Sequence, residues 1–266
     1  MTKPPQPNRV IRGDALAVMR KWPEACIDHC IADPPFNMSK KKGLGWAFSS
    51  HVTMQETWDQ FESDDFFRFN VEWLREVCRV VKPNGNIIVF GTYHNIYELG
   101  FILQSGLHRR ILNSIVWYKP NAQPNITARM LTESTEQLIW AVNGAPAGKD
   151  KASGWTFDYW RAKEFNGGKQ LRNLWEFGVT PKSERKEGSH PSQKPLGLIE
   201  RLVELSTARG DLILDPFGGA GTLAVAAEAH GRDWVLVEST PEYATLARAR
   251  LKAARAARRR KERDQG

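Results

Sequence analysis

Cysteine is scarce in this chain and unpaired in pattern. Three cysteines stand in 266 residues, Cys26, Cys30 and Cys78, with no C-x-x-C among them. An odd count without metal-ligand spacing argues against a disulfide framework and a structural zinc site, so no metal is expected and a reducing, cytoplasmic setting is. Long apolar runs are missing too. No stretch of about 18 apolar residues occurs, so no membrane span is expected. The first ten residues, MTKPPQPNRV, lack the apolar segment of a signal peptide. Phosphate signatures are also wanting. The sequence has no G-x-x-x-x-G-K-[ST], which excludes a Walker A loop. It offers only G-G-A-G where a dinucleotide fingerprint needs G-x-G-x-x-G, which disfavours NAD.

What is present is a folded composition, 41% hydrophobic and 26% charged, with a net charge of +8. The excess is concentrated. RARLKAARAARRRKER (248–263) holds roughly nine Lys/Arg against one Glu, and such a run suits a polyanion partner as well as a solvated helix end.

Strand and helix patterns alternate. RVIRGDALAVMRKWP reads as strand, Gly-Asp turn and short helix. DHCIAD (28–33) reads as a strand, DDFFRFNVEWLREVCRVVKPNG as a helix ended by Pro83-Asn84-Gly85, and NIIVFG (86–91) as a buried strand. A helix over 93–105 and strands near 111–117 and 136–142 follow. Residues 38–60 read as a long polar loop carrying Trp46, Phe48 and Trp58. After an aperiodic stretch from Pro120 to Pro191 come a helix (PLGLIERLVELSTARG), a strand (DLILD), a small-residue helix, a strand (DWVLVE) and a last helix with Thr240 as N-cap and Pro241 at its first position. The alternation predicts an α/β fold with a mostly parallel sheet.

Two strand ends carry chemistry. In LILDPFGGAGTLAVAAEAHGRDWVLVE a strand ends at Asp215, Gly218, Gly219 and Gly221 make a turn that lets a ligand approach the backbone, and Thr222 opens a helix. The next strand ends at Glu238, an acidic residue placed to accept hydrogen bonds from a ribose diol. A tight turn without a ligand is the plainer alternative. In CIADPPFN another strand ends at Asp33. Pro34 and Pro35 have no N–H to donate and stiffen the turn, leaving the Asp33 carboxylate and the Pro34 carbonyl as acceptors, with Phe36 as a stacking face. That set suits a planar substrate bearing an amino group.

DPPF followed by HPSQKP (190–195) and DPFGGAGT, with RGDAL near the start and RVVKPNGNIIVF between, resembles the β class of amino-group DNA methyltransferases over nearly the whole chain. The resemblance implies an α/β S-adenosylmethionine-dependent methyltransferase fold, a mixed, mostly parallel doubly wound sheet with an inserted target-recognition region. The expected parts are 1–120 (catalytic), 121–189 (target recognition), 190–251 (cofactor binding) and 252–266 (basic tail). The implied activity is methyl transfer from S-adenosylmethionine to adenine N6 in double-stranded DNA, on a base flipped out of the duplex. Asp33, Pro34, Pro35 and Phe36 would hold the base. Asp14, Ala32, Asp33, Ser192, Lys194, Asp215, Phe217, Gly219, Gly221, Thr222 and Glu238 would hold the cofactor, with Lys194 and Ser192 on its methionine carboxylate. Lys40, Lys41 and Lys42 in the 38–60 loop, and Arg161, Lys163, Lys169, Arg172 and Lys182, are candidate DNA contacts. The tryptophans of 121–189 are expected to pack a small core of that region. A homodimer and a cognate restriction endonuclease are partners such a family brings. Phe36 stands where tyrosine is commoner, so stacking survives and a hydroxyl is lost. Asp-Pro-Pro leans toward adenine N6 and Ser-Pro-Pro toward cytosine N4, which keeps cytosine N4 as the alternative. RNA or protein methylation, and a silent DNA-binding protein of the same fold, are further alternatives. Cytosine C5 chemistry needs a cysteine, typically after proline; the three here follow Ala25, His29 and Val77.

Overall fold

The computed structural model describes residues 2–37, 59, 61–125, 129–144 and 154–265. The 38–58 stretch with Lys40, Lys41, Lys42, Trp46, Phe48 and Trp58 lies outside the described residues.

Eight strands form one sheet: β1 (Arg9–Arg12), β2 (His29–Ala32), β3 (Asn86–Gly91), β4 (Arg110–Tyr118), β5 (Thr135–Val142), β6 (Leu174–Glu176), β7 (Leu212–Asp215) and β8 (Asp233–Glu238). Their order is β1-β8-β7-β2-β3-β5-β4-β6. All neighbours pair in parallel except β5, which runs antiparallel to both β3 and β4. The helices are α1 (Ala15–Met19), α2 (Ser63–Val80), α3 (Ile96–Phe101), α4 (Tyr159–Glu164), α5 (Leu196–Ser206), α6 (Thr222–Ala229) and α7 (Pro241–Gln265). None is long and apolar enough to cross a membrane.

Central strands covered on both faces are mostly apolar, and the polar residues that open β2 and β3, His29 and Asn86, are buried and hydrogen-bonded. β2 and β3 are buried along their whole length. Their side chains divide between two cores. One packs α1, α2 and α3 around Trp73, Leu74 and Leu99; the other packs α5 and α6 around Leu202, Leu223 and Trp234.

Several details depart from the expectations. The helix near 93–105 ends in a π-helical turn, Ile102–Gly106. Helix α4 and strand β6 are additional, both short and without readable periodicity. Among its described residues, the 121–189 span shows no core of its own. It supplies β5 to the middle of the sheet and β6 to its edge, and Trp175 and Ala162 join the core beneath α5. Trp175 is buried in that shared core and Trp160 is 71% exposed, so neither packs the small regional core expected of these tryptophans. The basic run is no separate tail either: α7 begins at Pro241 as expected and continues unbroken to Gln265.

Candidate active site

Parallel strands bring their carboxyl ends to one edge, and there the motifs meet. Gly13-Asp14 follows β1 and Asp33 follows β2, while β7 ends at Asp215 and β8 at Glu238. They surround a cavity of ≈ 310 Å³ lined by Asp14, Asp33, Pro35, Ser192, Lys194, Asp215, Phe217, Gly219, Thr222 and Glu238 among others. Residues 180 positions apart in sequence thus share one pocket. Ala32, Pro34, Phe36 and Gly221 do not line it. Ala32 is the last residue of β2 and lies in the core, and Ile31 faces the cavity instead.

The glycine turn is held by backbone bonds that explain its composition. Gly218 N–H donates to the Val237 carbonyl at 2.8 Å, Gly221 N–H to the Gly218 carbonyl at 2.7 Å, and Phe217 N–H to Asp215 Oδ1 at 3.0 Å. A Cβ on Gly218 would stand 1.9 Å from Leu236 Cδ2. Gly221 has φ +74, and a Cβ there would stand 2.8 Å from Ala247 Cβ, so this glycine lets the turn seat against α7. Gly219 N–H donates to Glu238 Oε2 at 2.7 Å, and Thr240 N–H donates to Glu238 Oε1 at 2.7 Å. Glu238 therefore fixes the turn while also lining the cavity. Asp14 likewise has two positions at once: Oδ1 caps α1 by accepting from Ala17 N–H at 2.8 Å, and the residue lines the pocket.

The D-P-P-F turn is anchored from a distance. Asp59 Oδ1 accepts the N–H groups of Phe36 at 2.7 Å and Asn37 at 2.6 Å. Asn37, at φ +58, returns its Oδ1 to Phe61 N–H at 2.9 Å. Asp33 Oδ2 accepts from Lys194 Nζ at 2.7 Å, whereas Asp33 Oδ1 is buried without a hydrogen-bond partner. Lys194 Nζ also donates to the Ser192 carbonyl at 3.3 Å, and it lies 5.2 Å from the Phe36 ring centroid and 5.4 Å from that of Phe90. Lys194, expected at the cofactor's carboxylate, here stands against Asp33.

Burial penalises the charge of two carboxylates at this edge, Asp33 and Asp215. Asp33 is pushed up to about 6, chiefly by burial, with Lys194 pulling down and Glu136 and Asp59 pushing up. Asp215 is pushed up to about 8, again chiefly by burial, with Asp33 and Glu238 adding repulsion. His190, buried edge-on against the Tyr243 ring, is pushed down to about 3 by burial, Lys194 and Arg250, and is neutral at physiological pH.

Sequence reasoning missed four residues here. His190 lies within the quoted HPSQKP and was the most legible of them. Arg250, buried under the glycine turn, donates to the Ala220 carbonyl at 2.6 Å and Thr222 Oγ1 at 3.0 Å. Asp59 and Glu136 carry no local motif. Of the DNA candidates, Arg161 is engaged by Glu204 and Glu164, both at 2.6 Å, and Lys163 lies over the Trp160 ring. Both sit on α4, beside the carboxyl end of α5 and away from Asp33. Lys169, Arg172 and Lys182 are exposed, with Lys182 in the 3-10 turn Lys182–Arg185 that approaches Gln193 and Leu196 near the pocket.

Comparison with known proteins decides the family. The profile described as DNA methylase, covering N6 and N4 enzymes, matches residues 27–249. The chain belongs to the DNA methylase family. This methylase is 38% identical to the type II methyltransferase M2.LlaDCHI of Lactococcus lactis subsp. cremoris, over 94% of this chain and 93% of that one. It is also 38% identical to M2.DpnII of Streptococcus pneumoniae (92% and 89%) and 34% identical to M2.MboI of Moraxella bovis (91% and 86%). Its fold superposes on M1.HpyAVI in complex with S-adenosylmethionine, with a TM-score of 0.67, 25% identity and coverage of 91% and 98%. The cytosine-N4-specific PvuII methyltransferase shares the fold at a TM-score of 0.71 and 19% identity, over 93% and 87%. The methylase is S-adenosylmethionine-dependent, and the pocket suits that cofactor chemically: Asp14 and Glu238 line it as acceptors of the kind a ribose diol needs, beside glycines that leave the backbone open.

Proposed function

We propose that this methylase modifies adenine N6 in double-stranded DNA, with Asp33 as the carboxylate that binds the amine. One observation carries the reading: Asp33, which lines the cofactor cavity, has one oxygen anchored by Lys194 and the other buried without a partner. An exocyclic amine is a poor nucleophile because its lone pair is conjugated into the ring. Acceptors drawing on its hydrogens favour a pyramidal nitrogen, and Asp33 Oδ1 together with the Pro34 carbonyl supplies them. Phe36 supports the base from one side. The cofactor supplies a methyl group on a sulfonium. Asp33 is the base placed to take the proton that the nitrogen would shed on methylation.

Asp14 and Glu238 hold the nucleoside half of the cofactor in this reading, and Asp215, Phe217, Gly219 and Thr222 hold its methionine half. Asp at the head of the D-P-P-F turn favours adenine over cytosine N4. Lys169, Arg172 and Lys182, exposed, are the DNA contacts best placed to reach phosphate. The type II naming of the relatives supports a cognate endonuclease, and the three free cysteines suit a reducing cytoplasm.

Substituting Asp33→Ala tests the assignment. Methyl transfer to DNA is expected to fall by at least about 100-fold while calorimetric affinity for S-adenosylmethionine changes little. An Asp33→Ala enzyme that still methylates DNA at the wild-type rate would overturn the role given to Asp33.

A further inference from the structure

Lys194 is a buried ammonium with carboxylates on two sides. Asp33 is one. The other is Glu136, at the start of β5, opposite Trp117 of β4. Its Oε2 lies 3.4 Å from Lys194 Nζ, an ion pair without hydrogen-bond geometry, and is otherwise buried and unpartnered. Its Oε1 accepts from Lys119 Nζ at 3.2 Å, and Lys119 in turn lies over the Trp117 ring. The four groups make a line of alternating charge, Asp33, Lys194, Glu136 and Lys119, running from the cavity into the sheet edge.

We infer that Glu136 is a positioning residue for methyl transfer: it holds Lys194 so that the ammonium covers only one oxygen of Asp33 and leaves the other for the substrate amine. The inference rests on the reading of Asp33 given above. An ammonium has three N–H groups. One goes to Asp33 Oδ2 and one to the Ser192 carbonyl, and Glu136 faces the third. Without Glu136, the whole attraction of a buried cation would fall on Asp33, drawing Lys194 across both oxygens and weakening Asp33 as an acceptor. With it, the positive charge is shared. The groups facing Asp33 are Lys194 from the segment before α5, Glu136 from β5, Asp59 from the segment before α2, and Asp215 from β7. Glu136 adds negative charge to that set, which raises Asp33, and Lys119 screens Glu136 from behind.

Two isosteric or near-isosteric variants give opposite signs. Glu136→Gln removes a negative charge, so the acid limb of the single-turnover rate against pH is expected to move to lower pH. The rate near neutrality is expected to fall about tenfold, with S-adenosylmethionine affinity within about twofold of wild type. Lys119→Met unscreens Glu136, so the same limb is expected to move to higher pH. The probe is unmethylated genomic DNA with labelled S-adenosylmethionine. A limb that stays in place in both variants, or moves the same way in both, overturns the inference. If Glu136→Gln fails to fold, the sign in Lys119→Met decides alone. An active Asp33→Ala enzyme would instead remove the underlying reading. An inactive one beside unmoved limbs removes only the role of Glu136.

Discussion

Asp215 shows how this site stores its chemistry in single residues. The folded protein holds its proton up to about pH 8, whereas an aspartate in an unfolded chain titrates near 3.8. The folded state therefore binds more protons than the unfolded one between those values, and stability is lost as pH rises through that window. Asp215→Asn can keep the bond to Phe217 N–H and lacks the buried charge. It is expected to raise the unfolding free energy at pH 8 by more than about 1 kcal/mol, measured by denaturant titration, and to flatten the pH dependence between 4 and 8. Equal stability of the two proteins at pH 8 would show that Asp215 carries no penalty. Asp33, Asp215 and Glu238 were legible because each ends an apolar strand. Asp59, Glu136, His190 and Arg250 were not singled out, because their meaning lies in partners: Asp59 is 23 residues from the N–H of Phe36, and Glu136 is 58 residues from Lys194. Only the tertiary fold brings them together.

At the scale of elements, patterned segments read correctly, short β1, α1, β2 and β7 included, whereas α4 and β6 did not. Helix α2, with apolar residues recurring at helical spacing and Asp64 and Asp65 in its first turn, announces itself. Helix α4 and strand β6 run to only 6 and 3 residues. They exist because the sheet edge and α5 receive Trp175 and Ala162, which no local pattern reveals. The glycine turn was legible as a close approach, but its reason differs by position: Gly218 yields to Leu236 and Gly221 to Ala247, whereas Gly219 faces the pocket. Gly218→Ala is thus expected to strain the β7–α6 turn and destabilise the protein by about 1–3 kcal/mol, visible as a lowered melting temperature with cofactor affinity reduced alongside. A Gly218→Ala protein as stable as wild type would contradict the packing given for this turn.

Across the whole molecule, the sheet separates two ends. The cavity opens at the carboxyl edge. Helix α7 starts there beside Glu238 and crosses β1, where Arg248 donates to the Val10 carbonyl at 3.0 Å. It reaches the far end of α6, where Arg258 donates to the Glu228 carbonyl at 2.9 Å. Its last basic residues, 259–263, are exposed there, about 30 Å along the helix from Pro241. Charge this far from Asp33 can meet a long duplex but not the base being methylated. Removing residues 259–266 is expected to lower the salt dependence of binding to long DNA and to leave methylation of a short duplex unchanged; a loss of short-duplex activity would place the basic end at the reaction instead. The most direct test of the function is chemical. Purified protein, S-adenosylmethionine and unmethylated double-stranded DNA are incubated, the DNA is digested to nucleosides, and the modified base is identified by mass spectrometry. N6-methyladenine is the expected product. N4-methylcytosine, or no methylated base in the presence of bound cofactor, would contradict the assignment of adenine to the Asp33 site.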